Sequence, residues 1–282
     1  YHGRGAVVAA VIHSPGSALE PLFDPSTWRL SLLFIHSSGW GSARDVRLSR
    51  RALRFSCAFP VIHLDECEST QDVAWDCEPG TFVVADRQTR GRGRGAGREW
   101  VSPPGGLYMS WRLGVVEPTG LTLLGGLAVL RALRKWGAEA WLKWPNDCWV
   151  GQKKIAGVLA DCRWSGSRCS GLVLGMGVNV QVKEPPEGAV SLHQLCRQAP
   201  DVAEFGELLR AQLRELLKVH EKMGVSGYLS ELRSHSLPPG SKIAYWLGGQ
   251  RSEDEVADLD GQGYLLLRSG LRLTAVDRLQ VL

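Results

Sequence analysis

LYMSWRLGVVEPTGLTLLGGLAVLRALRKWG, residues 107–137, contains a strand followed by a helix, and this succession decides the fold class. Residues 107–113 alternate in polarity and predict a strand with one buried and one wetter face. Apolar side chains from Leu123 to Leu133 recur every three to four residues, and Gly137 supplies a C-terminal cap for the helix. A strand directly followed by a helix favours an α/β fold.

The neighbouring segments extend this pattern on both sides. A second helix is predicted after Pro200, because Asp201 and Glu204 form a capping box ahead of an apolar face that runs from Phe205 to Leu217. We therefore predict an α/β (α+β) domain, with helices packed on one mixed sheet. The strands predicted for this sheet are VIHLDEC (61–67), TFVVAD (81–86), LYMSWRL (107–113), WLKW (141–144), IAGVLAD (155–161) and LVLGMGVNV (172–180).

A Pro-Pro-Gly break at residues 238–240 separates a last region of short strands. The segments KIAYWL, SEDEVADLD, YLLLR and LRLTAV are joined by glycine turns, which is typical of a small barrel-like all-β domain. The predicted organisation is an N-terminal extension at 1–59, the mixed α/β domain at 60–235 and the C-terminal β domain at 236–282.

Composition limits the classes of function. The chain has 282 residues, 44% of them hydrophobic, and a net charge of +4, so disorder is excluded and global charge does not favour a nucleic-acid binder. No apolar run reaches the roughly 18 residues of a membrane span, so we expect a soluble protein. Seven cysteines without a Cys-x-x-Cys pair predict reduced thiols in an intracellular protein and no structural metal.

The N-terminal extension has two interpretations. The chain opens on Tyr1, which fits a fragment or a processed form, and Trp28–Phe55 is rich in Arg and Ser with Asp45 as its only acid. That composition is typical of a transit peptide, although the segment is not at the very start. A small accessory layer is the alternative. We expect a cytoplasmic protein, or a plastid or mitochondrial one if the segment is a leader.

The most unusual stretch is RQTRGRGRGAGREW, Arg87–Trp100, where glycines alternate with arginines. A phosphate loop would require Lys and Ser or Thr after Gly97, and a dinucleotide fingerprint would require a helix where VSPPGG follows. An RNA-binding tail remains an alternative, although the run is single and lies between two predicted strands. A loop held by a sheet favours a small phosphate-bearing ligand instead.

Two segments of the mixed domain group polar side chains. In KWPNDCWV, Lys143–Val150, Pro145 presets the backbone, so Asp147 could hold magnesium and Lys143 a phosphate oxygen. On this segment alone, an ordinary Asn-Asp turn is the favoured interpretation. In KKIAGVLAD, a lysine precedes an apolar strand in which Gly157 allows close approach of a backbone or a ligand.

A glycine strand completes the set. In GMGVNV, Gly175 and Gly177 lie on one face and leave a flat slot, and Asn179 continues that face. Glycine weakens a strand interior, so a ligand or a packing reason is expected for both positions.

Five segments in this order resemble the biotin–protein ligase family, which includes biotin–[acetyl-CoA-carboxylase] ligases and holocarboxylase synthetases. They are EST, GRGRGAGREW, KWPND, KIAG and GMGVN, and the resemblance covers about residues 60–282. It implies a biotin- and ATP-binding catalytic domain at 60–235. It also implies the reaction: biotin and ATP form biotinyl-5'-AMP, and biotin then passes to a lysine of a carboxylase biotin carrier domain.

The resemblance implies a role for each matching residue. Biotin would be bound by Ser69, Thr70, Gln71, Gln88, Arg92, Gly93, Arg94, Lys154, Gly157, Gly175 and Gly177. ATP would be bound by Arg98, Trp100, Lys143, Asn146 and Asn179, with magnesium on Asp147. The catalytic residues would be Arg92, Arg94, Lys154 and Asp147.

The resemblance also implies the partners and leaves alternatives. ATP and Mg²⁺ are the expected cofactors, the carrier domain of acetyl-CoA carboxylase or a related enzyme is the expected protein partner, and the chain is expected to be a monomer or weak homodimer. No specific nucleic acid or membrane partner is expected, since no helix-turn-helix precedes residue 60. The Arg/Gly loop is one residue longer than the family pattern, and the helix expected within 71–80 is about a turn short. A lipoate-type ligase, an RNA binder and a degenerate ligase remain alternatives.

Overall fold

The computed structural model describes residues 60–95 and 97–282, and within the first 59 residues only the backbone of short strands. The predicted leader or accessory role of residues 1–59 otherwise lies outside the described residues, as does Cys57. The short strands are β1 (Val7–Val8), β2 (Arg29–Leu32), β3 (Phe34–His36), β4 (Gly39–Trp40), β5 (Arg44–Leu48) and β6 (Phe55–Ser56).

A mixed sheet forms the centre of the molecule, as predicted. Its strand order is β10-β11-β12-β13-β9-β8-β7-β5-β2, and its one parallel pair is β7 with β8 among the strands that the structure describes. Strand β11 is not predicted from the sequence, because the KWPND segment favours a polar turn there. The strands that follow residue 58 in this sheet are β7 (Phe59–Cys67), β8 (Phe82–Gln88), β9 (Gly106–Leu113), β10 (Ala140–Lys143), β11 (Asp147–Val150), β12 (Lys153–Ser165) and β13 (Arg168–Asn179).

Both predicted helices are present. Gly137 has a φ of 78° just beyond the first of them, and the Asp201 carboxylate accepts a 2.7 Å hydrogen bond from the Glu204 amide at the start of the other. Three further helices are too short for a periodic signal. The helices are α1 (Thr70–Trp75), α2 (Leu121–Lys135), α3 (Leu192–Leu195), α4 (Val202–Met223) and α5 (Leu229–Ser234), with a 3₁₀ turn at Gly224–Gly227.

The prediction that one face of β9 would be wetter was wrong, because helices cover both faces. The odd-numbered side chains join the apolar core beneath α2 and α4. On the other face, Ser110 is fully buried and its hydroxyl lies 2.8 Å from that of Thr70 in α1, while Arg112 lies over the Trp75 ring at 4.8 Å. The alternating polarity thus reflects a polar interior on the α1 side, where the candidate site lies.

The C-terminal region forms a separate antiparallel sheet, as predicted. Its order is β17-β16-β15-β14-β18, and the end strands β17 and β18 do not pair with each other in the described residues, so the sheet is not a closed barrel. The Trp144 indole donates to the Gly263 carbonyl at 3.0 Å and ties this sheet to the mixed sheet. Its strands are β14 (Lys242–Leu247), β15 (Gln250–Leu259), β16 (Leu265–Leu267), β17 (Arg272–Leu273) and β18 (Arg278–Val281).

Two further features concern the composition. Within residues 60–95 and 97–282, no helix combines the length and the apolar character needed to cross a bilayer. The described cysteines are free thiols at Cys67, Cys77, Cys148, Cys162, Cys169 and Cys196.

Candidate active site

A cavity lies between α1, the centre of the mixed sheet and the Arg/Gly loop. It brings together residues from all five sequence segments that were singled out. The predicted site residues that line it are Ser69, Thr70, Gln71, Gln88, Arg92, Gly93, Arg94, Trp100, Asn146, Lys154, Gly157, Gly175 and Gly177.

One wall of the cavity is a fixed hydrogen-bond network. The Gln88 amide oxygen accepts from the backbone amide and the hydroxyl of Thr70 at 2.9 and 3.1 Å, and its nitrogen donates to the Ser102 hydroxyl at 3.0 Å. The amides and hydroxyls of this group satisfy one another. Thr70 and Gln88 are therefore held rigidly and shape the wall.

Beside this wall, polar groups are buried without protein partners. The Ser69 hydroxyl and both polar atoms of the Gln71 amide have no hydrogen bond within the described residues, although both side chains are buried. A buried unpaired polar group costs about 1–3 kcal/mol, so such groups in a cavity indicate a ligand that satisfies them. That ligand needs both donors and acceptors on one edge.

The glycine strand seats two side chains. Gly157 and Gly177 are directly paired between β12 and β13, and a Cβ on Gly177 would lie 2.7 Å from the Trp100 indole nitrogen. On Gly175 a Cβ would lie 2.8 Å from the Gln71 amide oxygen. The predicted slot is thus filled by Trp100 and Gln71, which form the cavity surface above the glycines.

The Arg/Gly loop is a short hairpin. The Gly93 amide donates to the Arg98 carbonyl at 2.8 Å, and the Trp100 amide donates to the Gly91 carbonyl at 2.8 Å. A Cβ on Gly91 would overlap the Trp100 carbonyl, so the close backbone approach requires glycine there.

Intramolecular partners hold two loop arginines. One guanidinium nitrogen of Arg92, Nη1, donates to the carboxylates of Asp72 at 3.2 Å and Asp161 at 3.0 Å. The Arg94 guanidinium donates to the Val276 carbonyl at 2.7 Å, so this arginine links the loop to the C-terminal sheet. Burial lowers the pKa of Arg94 from its usual value, which marks a partly desolvated cation suited to an anion.

The turn between β10 and β11 places Lys143 and Asp147 of KWPND, and Lys154 of β12 lies beside them. Lys143 and Asp147 are register partners, and the Lys154 ammonium lies 2.7 Å from the Asp147 carboxylate. The Lys143 ammonium lies 4.0 Å above the Trp149 ring, and burial lowers its pKa. The Asn146 amide donates to the Val158 carbonyl at 3.0 Å and anchors the turn to β12. These contacts fix the Lys154 ammonium at the cavity and the Lys143 ammonium at the cleft that adjoins it.

A second, open cleft adjoins the first between the mixed sheet and β18. Arg94, Arg98, Lys143 and Arg278 line it with Asp147, so four cations face one carboxylate. Such an excess of positive charge suits a polyphosphate. Sequence reasoning missed Arg278, because it lies in no motif and only the folding of β18 against the loop brings it there.

Asn179, by contrast, lines neither cavity. Its side chain is buried, and its amide donates to the Val190 carbonyl at 3.2 Å. The structure therefore places it behind the site, where it connects the end of β13 to the segment before α3.

The donor set fits a magnesium ion that arrives with a nucleotide. Within the described residues no group of three or more His, Cys, Asp or Glu side chains could form a metal cage. Magnesium is commonly held by one or two carboxylates together with substrate phosphates. Asp147, the carboxylate of the cationic cleft, meets that requirement.

Comparison with known proteins identifies a matching family and several relatives of the chain. The Biotin/lipoate A/B protein ligase family model matches residues 63–179. The biotin–[acetyl-CoA-carboxylase] ligase of Mycobacterium tuberculosis is 32% identical over 210 residues, which cover 70% of this chain and 76% of that protein. The bifunctional ligase/repressor BirA of Escherichia coli is 31% identical over 202 residues, covering 68% of this chain and 63% of BirA. The chain thus spans slightly less than two thirds of the length of BirA.

A solved structure aligns over nearly its whole length. The biotin protein ligase from Aquifex aeolicus in complex with biotin and ATP is 31% identical, with a TM-score of 0.70 over 79% of this chain and 99% of that one. The cavity, the cationic cleft and these alignments all indicate the same protein family. The chain therefore belongs to the biotin protein ligases of the Biotin/lipoate A/B protein ligase family.

Proposed function

We propose that the chain is an ATP-dependent biotin protein ligase, which forms biotinyl-5'-AMP and transfers biotin to a lysine of a carboxylase biotin carrier domain. The observation that carries the proposal is the junction of two different cavities, which share Arg94 and Asn146 as walls. One offers the unpaired polar atoms of Ser69 and Gln71, and the other offers four cations. An acyl-adenylate has these two parts, a mostly apolar acyl group with one polar edge and an anionic nucleotide.

In the first step, a biotin carboxylate oxygen attacks the α-phosphorus of ATP and pyrophosphate leaves. Two anions must approach each other, so the site has to neutralise charge where it accumulates. Arg92, Arg94 and Lys154 line the biotin cavity and supply positive charge at the reacting carboxylate. Arg98, Lys143 and Arg278 lie in the cleft, where the pyrophosphate would depart. Magnesium, bound through Asp147 and the phosphates, would supply Lewis-acid stabilisation of the same charge.

In the second step, the neutral amine of the carrier lysine attacks the biotinyl carbonyl carbon, the bond from that carbon to the phosphate oxygen breaks, AMP leaves, and the amine releases a proton to solvent. The Lys154 ammonium is within hydrogen-bond reach of Asp147 at 2.7 Å and lies 5.2 Å from the centre of the Trp100 ring. Asp147 thereby orients Lys154 toward the acyl-phosphate bridge, where the cation stabilises the departing phosphate oxygen. No side-chain nucleophile is required.

The direct test is mass analysis of a purified carrier domain after incubation with the protein, biotin and Mg-ATP. We expect one added biotinyl group, and no added mass in the Lys154→Ala variant. Lys153→Ala is the matched control, because Lys153 is the exposed neighbour of Lys154 and lines neither cavity. An unmodified carrier with the unaltered protein would overturn the proposal, and preferential attachment of lipoate would move the chain to the lipoate-type ligases.

The RNA-binding alternative receives no support from the loop. Arg92 and Arg94 are bonded to acceptors within the chain, and the hairpin is closed by backbone hydrogen bonds. An RNA-binding tail would instead present free cations on an open chain. Generic RNA that binds with steep salt dependence and displaces biotin would revive that alternative.

A further inference from the structure

The contacts of Arg92 are concentrated on one nitrogen. Both carboxylate contacts, to Asp72 and Asp161, involve Nη1, and no other hydrogen bond to this guanidinium is present within the described residues. A guanidinium has five N–H donors in a rigid fork, so the donors on Nε and Nη2 remain available. Arg92 lines the biotin cavity. One nitrogen of the fork is thus held within the chain, while the donors on Nε and Nη2 are free to meet an anion.

A further contact fixes the orientation of Asp161. The same oxygen that accepts from Arg92, Oδ2, accepts from the Trp75 indole at 3.2 Å. Two guanidinium groups in turn lie over the Trp75 ring, those of Arg163 at 4.1 Å and Arg112 at 4.8 Å from its centre. A chain of contacts therefore runs from Trp75 through Asp161 to Arg92, with Asp72 as a second hold on the same nitrogen.

Stability does not account for this arrangement. The side chains of Arg92, Asp72 and Asp161 are 43%, 39% and 30% exposed. Ion pairs with this exposure contribute about 0–1 kcal/mol to folding. Holding a guanidinium in one orientation, however, removes rotamer freedom that a ligand would otherwise have to remove on binding. The two ion pairs therefore orient the Arg92 guanidinium and contribute little to the stability of the fold.

We propose that Asp72 and Asp161 are positioning residues that preorganise Arg92 for the biotin carboxylate. The inference rests on the proposed function, since it assigns the free donors of Arg92 to that substrate. The carboxylates do not compete with biotin, because they take one nitrogen and leave the rest of the fork. Their loss therefore weakens the use of biotin and leaves the use of ATP unchanged, because the nucleotide cleft is lined by other cations.

The test measures biotin-dependent exchange of pyrophosphate into ATP for Asp72→Asn, Asp161→Asn and the double variant. We expect kcat/KM for biotin to fall about threefold for Asp72→Asn, about tenfold for Asp161→Asn, and by more than the product of these for the double variant. Either carboxylate alone still holds Nη1, so the loss of both is more than additive. The KM for ATP should change less than twofold, Asp161→Glu should recover most of the loss, and Trp75→Phe should give a smaller loss of the same kind.

The matched control is Glu68→Gln, which removes the exposed ion pair of Arg90 next to the same loop without touching the cavity. Thermal unfolding of every variant separates loss of fold from loss of positioning. If the double variant is folded and retains its kcat/KM for biotin within twofold, or gains activity, the inference is overturned while the proposed function stands. If the unaltered protein shows no exchange, the proposed function fails and the inference fails with it.

Discussion

Gly177→Ala tests how the cavity is built. A Cβ at this position would lie 2.7 Å from Nε1 and 2.8 Å from Cζ2 of the Trp100 indole, with Cε2 nearer still. Carbon atoms in contact are ordinarily about 3.5–4.0 Å apart, so the ring has to retreat by roughly 1 Å. The added methyl comes from the β12–β13 side, so the indole has to move toward the biotin cavity that it borders.

The expected size of the effect follows from the overlap. Forcing a methyl into a packed site costs about 1–3 kcal/mol. If the free protein relieves that strain by moving Trp100 into the cavity, biotin binding has to return the indole to its original position. The affinity for biotin then falls about 5- to 150-fold. Titration calorimetry with biotin measures the loss, and thermal unfolding measures any part that appears as stability.

Two comparisons make the test specific. Gly114→Ala is the matched control, because a Cβ there would lie 3.9 Å from the nearest atom, a side-chain carbon of Pro79. In a Trp100→Ala background the indole is absent, so Gly177→Ala should cost almost nothing further, and the double-mutant cycle isolates the clash. Undiminished biotin affinity in Gly177→Ala, or an equal loss in the Trp100→Ala background, would refute this account of the glycine strand.

Three other outcomes are expected. Arg278→Ala should raise the KM for ATP about tenfold and leave the KM for biotin unchanged in steady-state kinetics. Arg251 also lies over the Trp246 ring but outside the cleft, so Arg251→Ala should change neither KM. Equal effects of the two substitutions would contradict the assignment of Arg278 to the cleft. Burial raises the pKa of the Cys77 thiol from 9.0 to about 12. The folded chain thus keeps a proton that the unfolded chain loses, so the free energy of unfolding falls as pH rises from 9 toward 12, by up to about 1.4 kcal/mol per pH unit. Cys77→Ala should flatten that slope in urea unfolding, and identical slopes would exclude this thiol as a source. Biotin with ATP should protect residues 91–100 from limited proteolysis, and equal cleavage in both states would show that the loop does not close over ligand.

The sequence predicted the parts of the fold that depend on local pattern. The spacing of apolar residues and the caps at Gly137 and Asp201 sufficed for the two long helices, because such signals lie within one turn of the chain. The short helix α1 gave no periodic signal. The face of β9 was predicted wrongly because alternation records polarity, not exposure, and Ser110 is polar yet fully buried.

For the site too, features with a local sequence pattern could be predicted and contacts between distant segments could not. The loop, KWPND, KIAG and the glycine strand could be found because each keeps its residues at fixed spacing. Partners that come from distant segments could not be found, as with Arg278 from β18 or the Asp161 contact to Arg92. Likewise, nothing local shows that Trp100 rests on Gly177, since this contact requires the loop to fold back over β13.

The hairpin of the Arg/Gly loop has a consequence for protein engineering. Its backbone bonds lie at the Gly93–Arg98 and Gly91–Trp100 pairs, and the Arg94 guanidinium is bonded to the Val276 carbonyl, so an insertion after Gly95 leaves these contacts in place. Each doubling of a flexible loop costs only about 0.6 kcal/mol in closure entropy. A short peptide tag or a fluorescent reporter inserted there would therefore sit directly above the reacting atoms and report occupancy of the site without dismantling it.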